Sequence, residues 1–394
     1  MKFLLAAPGS RGDFQPMLAL ALGLRSAGHE AILAARPLYA SDAAAFQVPF
    51  VPMGQDVEEF LRGRAGGAPG YLPPGTIEAF LDQECRAQLE CLPALAEGVD
   101  FVLGAGMAMA VRSAAAAVGA PYLAVVYAPG LFMPRGRTSI FVPPVLLQTV
   151  RDFHARRGLP PVEDLLAYAF PPERVLLAAD EELLGSLGGV QVWAPPTGAL
   201  LLEDPRPLED ELEAFLAAGE PPIYIGFGSL AGSEPALNEQ LLREVVEAVG
   251  CRAVFHAGRN APARPQVEGP LLRIGHAAHR PLFARVAAVV HHGGAGTFAA
   301  AARAGVPQVL VPHAYDQPFW AERAYRLGIA PAPFFARGVK APQLIASIQQ
   351  ALTDERLRHQ ARALAAVLTP RDGVGTAVAC LTGARMGAPE EKPG

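Results

Sequence analysis

The stretch Val289-Val290-His291-His292-Gly293-Gly294-Ala295-Gly296-Thr297 constrains the fold more than any other. The apolar run at 287–290 predicts a buried strand that stops at two histidines and a glycine-rich turn. An alanine-rich helix follows, closed by Gly305, and a second apolar strand comes at 309–311. Such a unit belongs to a parallel sheet covered by helices. Its helix start offers unpaired backbone N–H groups and a positive dipole end to an anion. Glycines let a phosphate approach the main chain closely. Thr297 adds a hydroxyl and His292 a side-chain donor. The loop reads as a diphosphate cradle of His292, Gly293, Gly294, Ala295, Gly296 and Thr297. His291 points the other way on its strand and reads as structural.

The start of the chain has the same rhythm. Residues 2–7 predict a strand, 8–14 a loop, and 15–27 a helix with Pro16 in its first turn. Met17, Leu20, Ala21 and Leu24 fall on one apolar face of that helix, and Gly28 caps it. A second strand follows at 30–34, with more at 100–103, 122–126, 175–178 and 190–193. Residues 194–222 break the pattern. Six prolines there bracket an acidic run from Glu203 to Glu213, which reads as an interdomain linker. The α/β pattern restarts with a strand at 223–227, a helix at 236–249 and a strand at 253–256. It closes with helices at 341–352, 355–367 and 374–384, before a frayed tail. A chain of 394 residues favours two such domains.

The remaining composition mainly excludes. Net charge is −5, so no basic surface is offered and nucleic acid is not an expected partner. The four cysteines, Cys85, Cys91, Cys251 and Cys380, lack metal-ligand or CxxC spacing, as expected of reduced thiols in a cytoplasmic protein. The opening strand is too short for a secretory leader. The apolar stretch 101–126 is broken by Arg112, Gly119 and Pro121 and reads as strand, helix and strand rather than a membrane span. Two long loops stand out. Residues 60–80 are rich in Gly and Pro. Residues 128–147 carry Phe132, Met133 and Phe141 among prolines, and three uses stay open for them: internal packing, a pocket for a greasy acceptor, or peripheral contact with the inner face of a membrane.

Three motifs carry a family resemblance. Gly9-Ser10-Arg11-Gly12-Asp13, with Pro16 after it, resembles the GSRGDxxP signature of bacterial antibiotic (vancomycin-type) and sterol glycosyltransferases. Ile225-Gly226-Phe227-Gly228-Ser229 resembles the first loop of their C-terminal domain. The stretch from His291 to Trp320 resembles their donor-binding motif. A single glycine-rich loop is weak evidence, but three motifs in register are strong. The resemblance implies the GT-B fold, an α/β architecture of two Rossmann-like domains with parallel sheets facing across a cleft. The expected limits are 1–195 for the acceptor domain, 196–221 for the linker and 222–372 for the donor domain. A helix at 373–386 would cross back to the first domain, ahead of a tail at 387–394.

The implied reaction is inverting, metal-independent transfer of a hexose from a UDP- or dTDP-sugar to a hydroxyl of a hydrophobic small molecule or lipid. No further cofactor is needed. Asp13 is the candidate general base, placed at the carboxyl edge of the first sheet; by its position it is also a helix N-cap or first-turn carboxylate. Arg11 beside it reads as a brace for the loop. The cradle residues, with Ser229 and Ser10, would stabilise the leaving diphosphate. Asp316 and Gln317 would hold the donor sugar, or else cap the helix at Pro318. For the base, residues 273–285 contain no tryptophan, so His276 and Leu282 are the candidates and the choice of UDP or dTDP stays open. Phe14, Phe132, Met133 and Phe141 are candidates for the acceptor pocket. Asp180-Glu181-Glu182 reads as a solvated helix start. His276 and His279 share a helix face, but no cysteine or carboxylate completes a metal-ligand spacing, so no metal site is expected.

Other classes fit less well. A sugar-nucleotide isomerase on the same scaffold needs no acceptor pocket. A dinucleotide oxidoreductase lacks G-x-G-x-x-G here, and Arg36 stands near the place of its ribose-binding acid. A non-catalytic nucleotide-sugar binding protein would not need Asp13, His292, Asp316 and Gln317 together.

Overall fold

The computed structural model describes residues 1–56, 60, 75–132, 142–228, 239–258 and 261–383. Strands β1 (Lys2–Ala7), β2 (Glu30–Ala35), β3 (Phe50–Pro52), β4 (Phe101–Ala105), β5 (Tyr122–Val126) and β6 (Val175–Leu177) form one sheet in the order β3-β2-β1-β4-β5-β6. All its pairs are parallel. Strands β7 (Ile223–Gly226), β8 (Ala253–His256), β9 (Gln266–Glu268), β10 (Leu271–Ile274), β11 (Ala288–His291) and β12 (Gln308–Leu310) form a second, in the order β12-β11-β7-β8-β10-β9. There only β9, against β10, is antiparallel. The expected pair of Rossmann-like sheets is present. Strand order reverses between β1 and β4 in one sheet and between β7 and β11 in the other. Open α/β sheets bind ligands at such points, beyond the strands' carboxyl ends.

Local structure corrects several expectations. The first helix runs Arg11–Ser26, not from residue 15. Ser10 is its N-cap, and Asp13 Oδ2 accepts from the Ser10 backbone N–H at 2.7 Å and from its hydroxyl at 3.1 Å. This reciprocal box starts the helix one turn early. Pro16 therefore sits inside the helix, where it cannot donate to the Gly12 carbonyl. Residues 190–193 form no strand; Trp193 N–H makes a bond of 3.1 Å to Val175 O beside β6. The expected linker contains a helix, Asp210–Ala217, whose Leu212, Phe215 and Leu216 pack with Leu272 and Phe283 of the second sheet's layer. Asp180 is not a solvated helix start, since only 2% of it is exposed.

The last helix, Gly373–Gly383, completes the first domain rather than the second. Its Ala377, Val378 and Leu381 join the cluster of Phe14, Met17, Leu20 and Leu24. Two glycines permit the close approach. A Cβ on Gly23 would lie 2.4 Å from Val374 Cγ1, and one on Gly373 would lie 2.3 Å from Ala199 O. A second apolar cluster runs across the domain boundary, joining Leu183 and Leu184 to Phe298, Trp320 and Ala321. The domains are thus packed together along one edge and open along the other.

Candidate active site

The open edge is a cleft of about 2970 Å³, lined from the first domain by Gly9 to Asp13 and from the second by His292, Gly294 to Thr297, Asp316 and Gln317. Asp13 sits in the first turn of its helix, at the reversal point of the first sheet. Glycines surround it because nothing larger fits. A Cβ on Gly9 would lie 2.0 Å from Asp13 Oδ2. The Tyr127 hydroxyl donates to the Asp13 carbonyl at 3.1 Å, fixing the turn. Burial raises the Asp13 pKa above the ordinary carboxylate range, and the two Ser10 hydrogen bonds and the Arg36 guanidinium hold part of that rise back. A buried carboxylate of this kind is a stronger base than a solvated one. Ser10 therefore engages Asp13 directly.

Arg36 was visible in the sequence only as an unsuitable ribose ligand. In the fold it lines the cleft, lies 5.2 Å over the Phe80 ring, and donates from Nε to Glu84 Oε2 at 3.3 Å. Arg11 braces the loop through Asp42 at 2.8 Å. The apolar wall of the cleft on the first-domain side comes from Phe80, Met107, Met109, Leu131, Val142 and Leu146. Two expected pocket residues are elsewhere. Phe14 is fully buried and stacked on Tyr39 with centroids 4.4 Å apart, and Phe132 belongs to the core. Met133 and Phe141 lie outside the described residues.

On the donor side, β11 delivers His291 and His292 to opposite faces. His291 is fully buried. Its Nε2 meets Gln308 Oε1 at 2.8 Å, and its Nδ1 accepts the Gly293 N–H at 3.1 Å. Gly293 therefore has its amide committed inward and, at φ 91°, redirects the chain. This corrects its expected role as a phosphate donor. Helix Ala295–Ala304 starts two residues later, with Gly294 as N-cap. The amides of Ala295, Gly296 and Thr297 have no acceptor within the helix and face the cleft side. The His292 ring fills the space beside Gly228 and Gly294, where added Cβ atoms would lie 2.8 and 2.6 Å from it. Burial lowers the His292 pKa to about 4, so it is a neutral hydrogen-bonding group at physiological pH. Ser229 lies outside the described residues.

Asp316 and Gln317 open the helix Gln317–Arg326. Gln317 Oε1 accepts from the His313 and Ala314 amides at 2.7 and 3.1 Å, which leaves its amide nitrogen as the group for a ligand. Asp316 Oδ2 accepts from Trp320 Nε1 at 3.2 Å. Burial, with a contribution from the Asp13 charge, raises the Asp316 pKa to about 6. Both carboxylates line the same cleft, Asp13 from the first domain and Asp316 from the second. Of the base-site candidates, His276 lines the cleft mouth, its Nε2 3.4 Å from Gln15 Nε2. Leu282 does not: it is fully buried with Tyr224 and Phe283. His279 stacks on Phe283, centroids 4.5 Å apart, and no group of three or more potential metal ligands occurs among the described residues.

Two Rossmann-like domains, a partly buried carboxylate at one reversal point and an anion-ready helix start at the other define a GT-B glycosyltransferase. Residues 3–123 match the glycosyltransferase family 28 N-terminal domain. Residues 270–372 match the erythromycin biosynthesis protein CIII-like C-terminal domain. The vancomycin aglycone glucosyltransferase of Amycolatopsis orientalis is 35% identical over 424 residues, covering 100% of this chain and 99% of that protein. The dTDP-epi-vancosaminyltransferase of the same organism is 36% identical over 352 residues, covering 84% and 85%. The glycosyltransferase VinC, solved in complex with dTDP, superimposes with a TM-score of 0.69 at 20% identity, covering 97% of this chain and 98% of that one. The chain belongs to the vancomycin-type GT-B glycosyltransferases and is a nucleotide-sugar-dependent glycosyltransferase.

Proposed function

We propose that the chain moves a hexose from a UDP- or dTDP-sugar, with inversion, onto a hydroxyl of an apolar small molecule, with Asp13 as general base. The observation that carries this reading is the single cleft lined by Asp13 from the first domain and by Asp316 and the helix start at 295–297 from the second. One carboxylate stands on the acceptor wall. The other stands beside the cradle, at the start of the neighbouring helix. An acceptor hydroxyl between them would lose its proton to Asp13 as its oxygen attacks the anomeric carbon. The bond to the diphosphate breaks on the opposite side, where the amides of Ala295 to Thr297 and the His292 ring meet the departing charge. These dipoles supply the stabilisation without a divalent ion.

The apolar wall of Phe80, Met107, Met109 and Leu146 supports an aglycone acceptor rather than a sugar polymer. The relatives named above act on the vancomycin aglycone or use a dTDP-linked donor by name, which favours dTDP among the donors to test. The experiment is a transfer assay with UDP-glucose, dTDP-glucose and a dTDP-deoxysugar against a panel of phenolic, polyketide and sterol aglycones, each with and without EDTA. Transfer that survives EDTA and is lost in Asp13→Asn supports the reading. Binding of the nucleotide sugar with no transfer to any aglycone would favour a binding protein instead.

A further inference from the structure

Both donor-side helices end on one short segment of the first domain. Helix Ala295–Ala304 carries Arg303 in its last turn. Its Nη1 donates to Asp180 Oδ2 at 2.8 Å and its Nη2 to Asp180 Oδ1 at 2.6 Å. Helix Gln317–Arg326 carries Arg323, whose Nε donates to the Leu183 carbonyl at 2.8 Å. Asp180 and Leu183 lie in the turn and short helix directly after β6. Arg371, just before the crossing helix, pairs with Glu182 of the same segment.

These contacts are built in. The Asp180 side chain is 1% exposed and that of Arg303 15%. Two parallel hydrogen bonds from a planar guanidinium fix orientation as well as distance. Glycines make the room. A Cβ on Gly198, at φ 95°, would lie 3.2 Å from Asp180 Oδ1, and one on Gly185, at φ 72°, would lie 2.8 Å from Arg323 Cζ.

We propose that Arg303 and Arg323 are positioning residues for the transfer reaction. Through Asp180 and the Leu183 carbonyl they set where the diphosphate-facing and sugar-facing helix starts stand relative to Asp13. Both line the cleft, but their hydrogen bonds run to Asp180 and the Leu183 carbonyl. The leverage is geometric. At a rise of 1.5 Å per residue, Arg303 is about 12 Å from the start of its helix. A tilt of about 5° at the tether therefore moves the cradle by about 1 Å, enough to cost roughly 100-fold in rate when attack must be in line. The proposed nucleotide contacts all lie within the second domain, so a tilt of that domain as a whole against the first leaves ground-state nucleotide binding unaltered.

This inference rests on the transfer reading above, and its test separates the two. Wild type, Arg303→Met, Arg303→Lys and Arg323→Met are compared by calorimetric titration with dTDP and UDP, by kcat with dTDP-glucose and an aglycone accepted by the wild type, and by small-angle scattering. The expected result is nucleotide affinity within about twofold of wild type, kcat reduced about 100-fold in Arg303→Met, partial recovery in Arg303→Lys, and a larger radius of gyration. A folded Arg303→Met enzyme with unchanged kcat overturns the proposal. So does a loss of nucleotide affinity that parallels the loss of kcat, which would make Arg303 a support of the cradle itself. Should Arg303→Met fail to fold, Arg323→Met, which removes the bond to the Leu183 carbonyl, is read by the same criteria. If the wild type itself transfers to no aglycone, the transfer reading fails. The scattering comparison then decides the tether alone, and an unchanged radius of gyration sinks it.

Discussion

A Cβ on Gly106 would lie 2.4 Å from Asp13 Cγ, in a residue already at φ 66°. The loop after β4 thus ends where the Asp13 side chain begins. Gly106→Ala has to displace Asp13 or the loop, and the left-handed backbone adds strain. Transfer is expected to fall about 100-fold while dTDP binds as before. Steady-state kinetics beside calorimetric titration checks this, and unchanged kcat would refute the crowding argument.

On the proposed mechanism, Asp13→Asn removes the proton acceptor and keeps the shape. The expected loss in kcat is about 10²–10⁴-fold. The same change deletes the charge that helps raise Asp316, so the Asp316 pKa should fall toward its ordinary value. Carboxyl carbon NMR of the labelled protein would read both effects. An Asp316 titration identical in wild type and Asp13→Asn would mean that the two groups are uncoupled.

Asp316 also gives a signed pH prediction. Its pKa is about 6 in the folded chain against 3.8 for the ordinary group. Between those values the folded state holds more protons than the unfolded one, so stability declines as pH rises through this window and the deficit persists above it. Asp316→Asn should therefore be more stable than wild type at pH 8, by up to about 3 kcal/mol, and lose that advantage near pH 4. Its transfer should be poorer at every pH. In the wild type, kcat/KM for the donor should climb with pH through about 6, because the ionised carboxylate is the form that accepts sugar hydroxyl hydrogen bonds. A variant that melts lower at pH 8 would contradict the burial of the charge.

The adjacent histidines should separate cleanly. His291→Ala leaves the Gly293 amide and the Gln308 side chain without their partner in a fully buried site, at a stability cost of about 1–3 kcal/mol. His292→Ala removes a neutral donor beside the cradle and should weaken dTDP about tenfold with little change in melting temperature. Melting curves and titrations on both variants check the division. A reversed pattern would exchange their roles.

The sheets were legible because buried parallel strands are continuous apolar runs with glycine or proline at their ends, as at Ala253–His256, where the expected limits match the observed strand. The start of the first helix was misplaced although its signal is present. Ser10 followed three residues later by Asp13 is a capping-box pattern, and Pro16 drew the boundary inward instead. Phe14, Phe132 and Leu282 show a different limit. An apolar residue beside a polar motif looks the same in sequence whether it faces a ligand or the core, and only the packing decides. Asp180 and Arg303 stand 123 residues apart, and no periodicity joins such a pair. Gly106 was readable in principle, as a glycine directly after a buried strand, but its partner Asp13 was not.

The crossing helix has a consequence for the order in which the molecule can be made. Val374, Ala377, Val378 and Leu381 pack against Phe14, Met17, Leu20 and Leu24, so the first domain's core contains residues from the far end of the chain. During synthesis that domain leaves the ribosome with an open apolar groove along helix Arg11–Ser26. The groove closes only after the whole second domain has been translated. A stop codon just before Gly373 would leave every strand of both sheets in place, and the damage would appear in the half of the protein that was finished first.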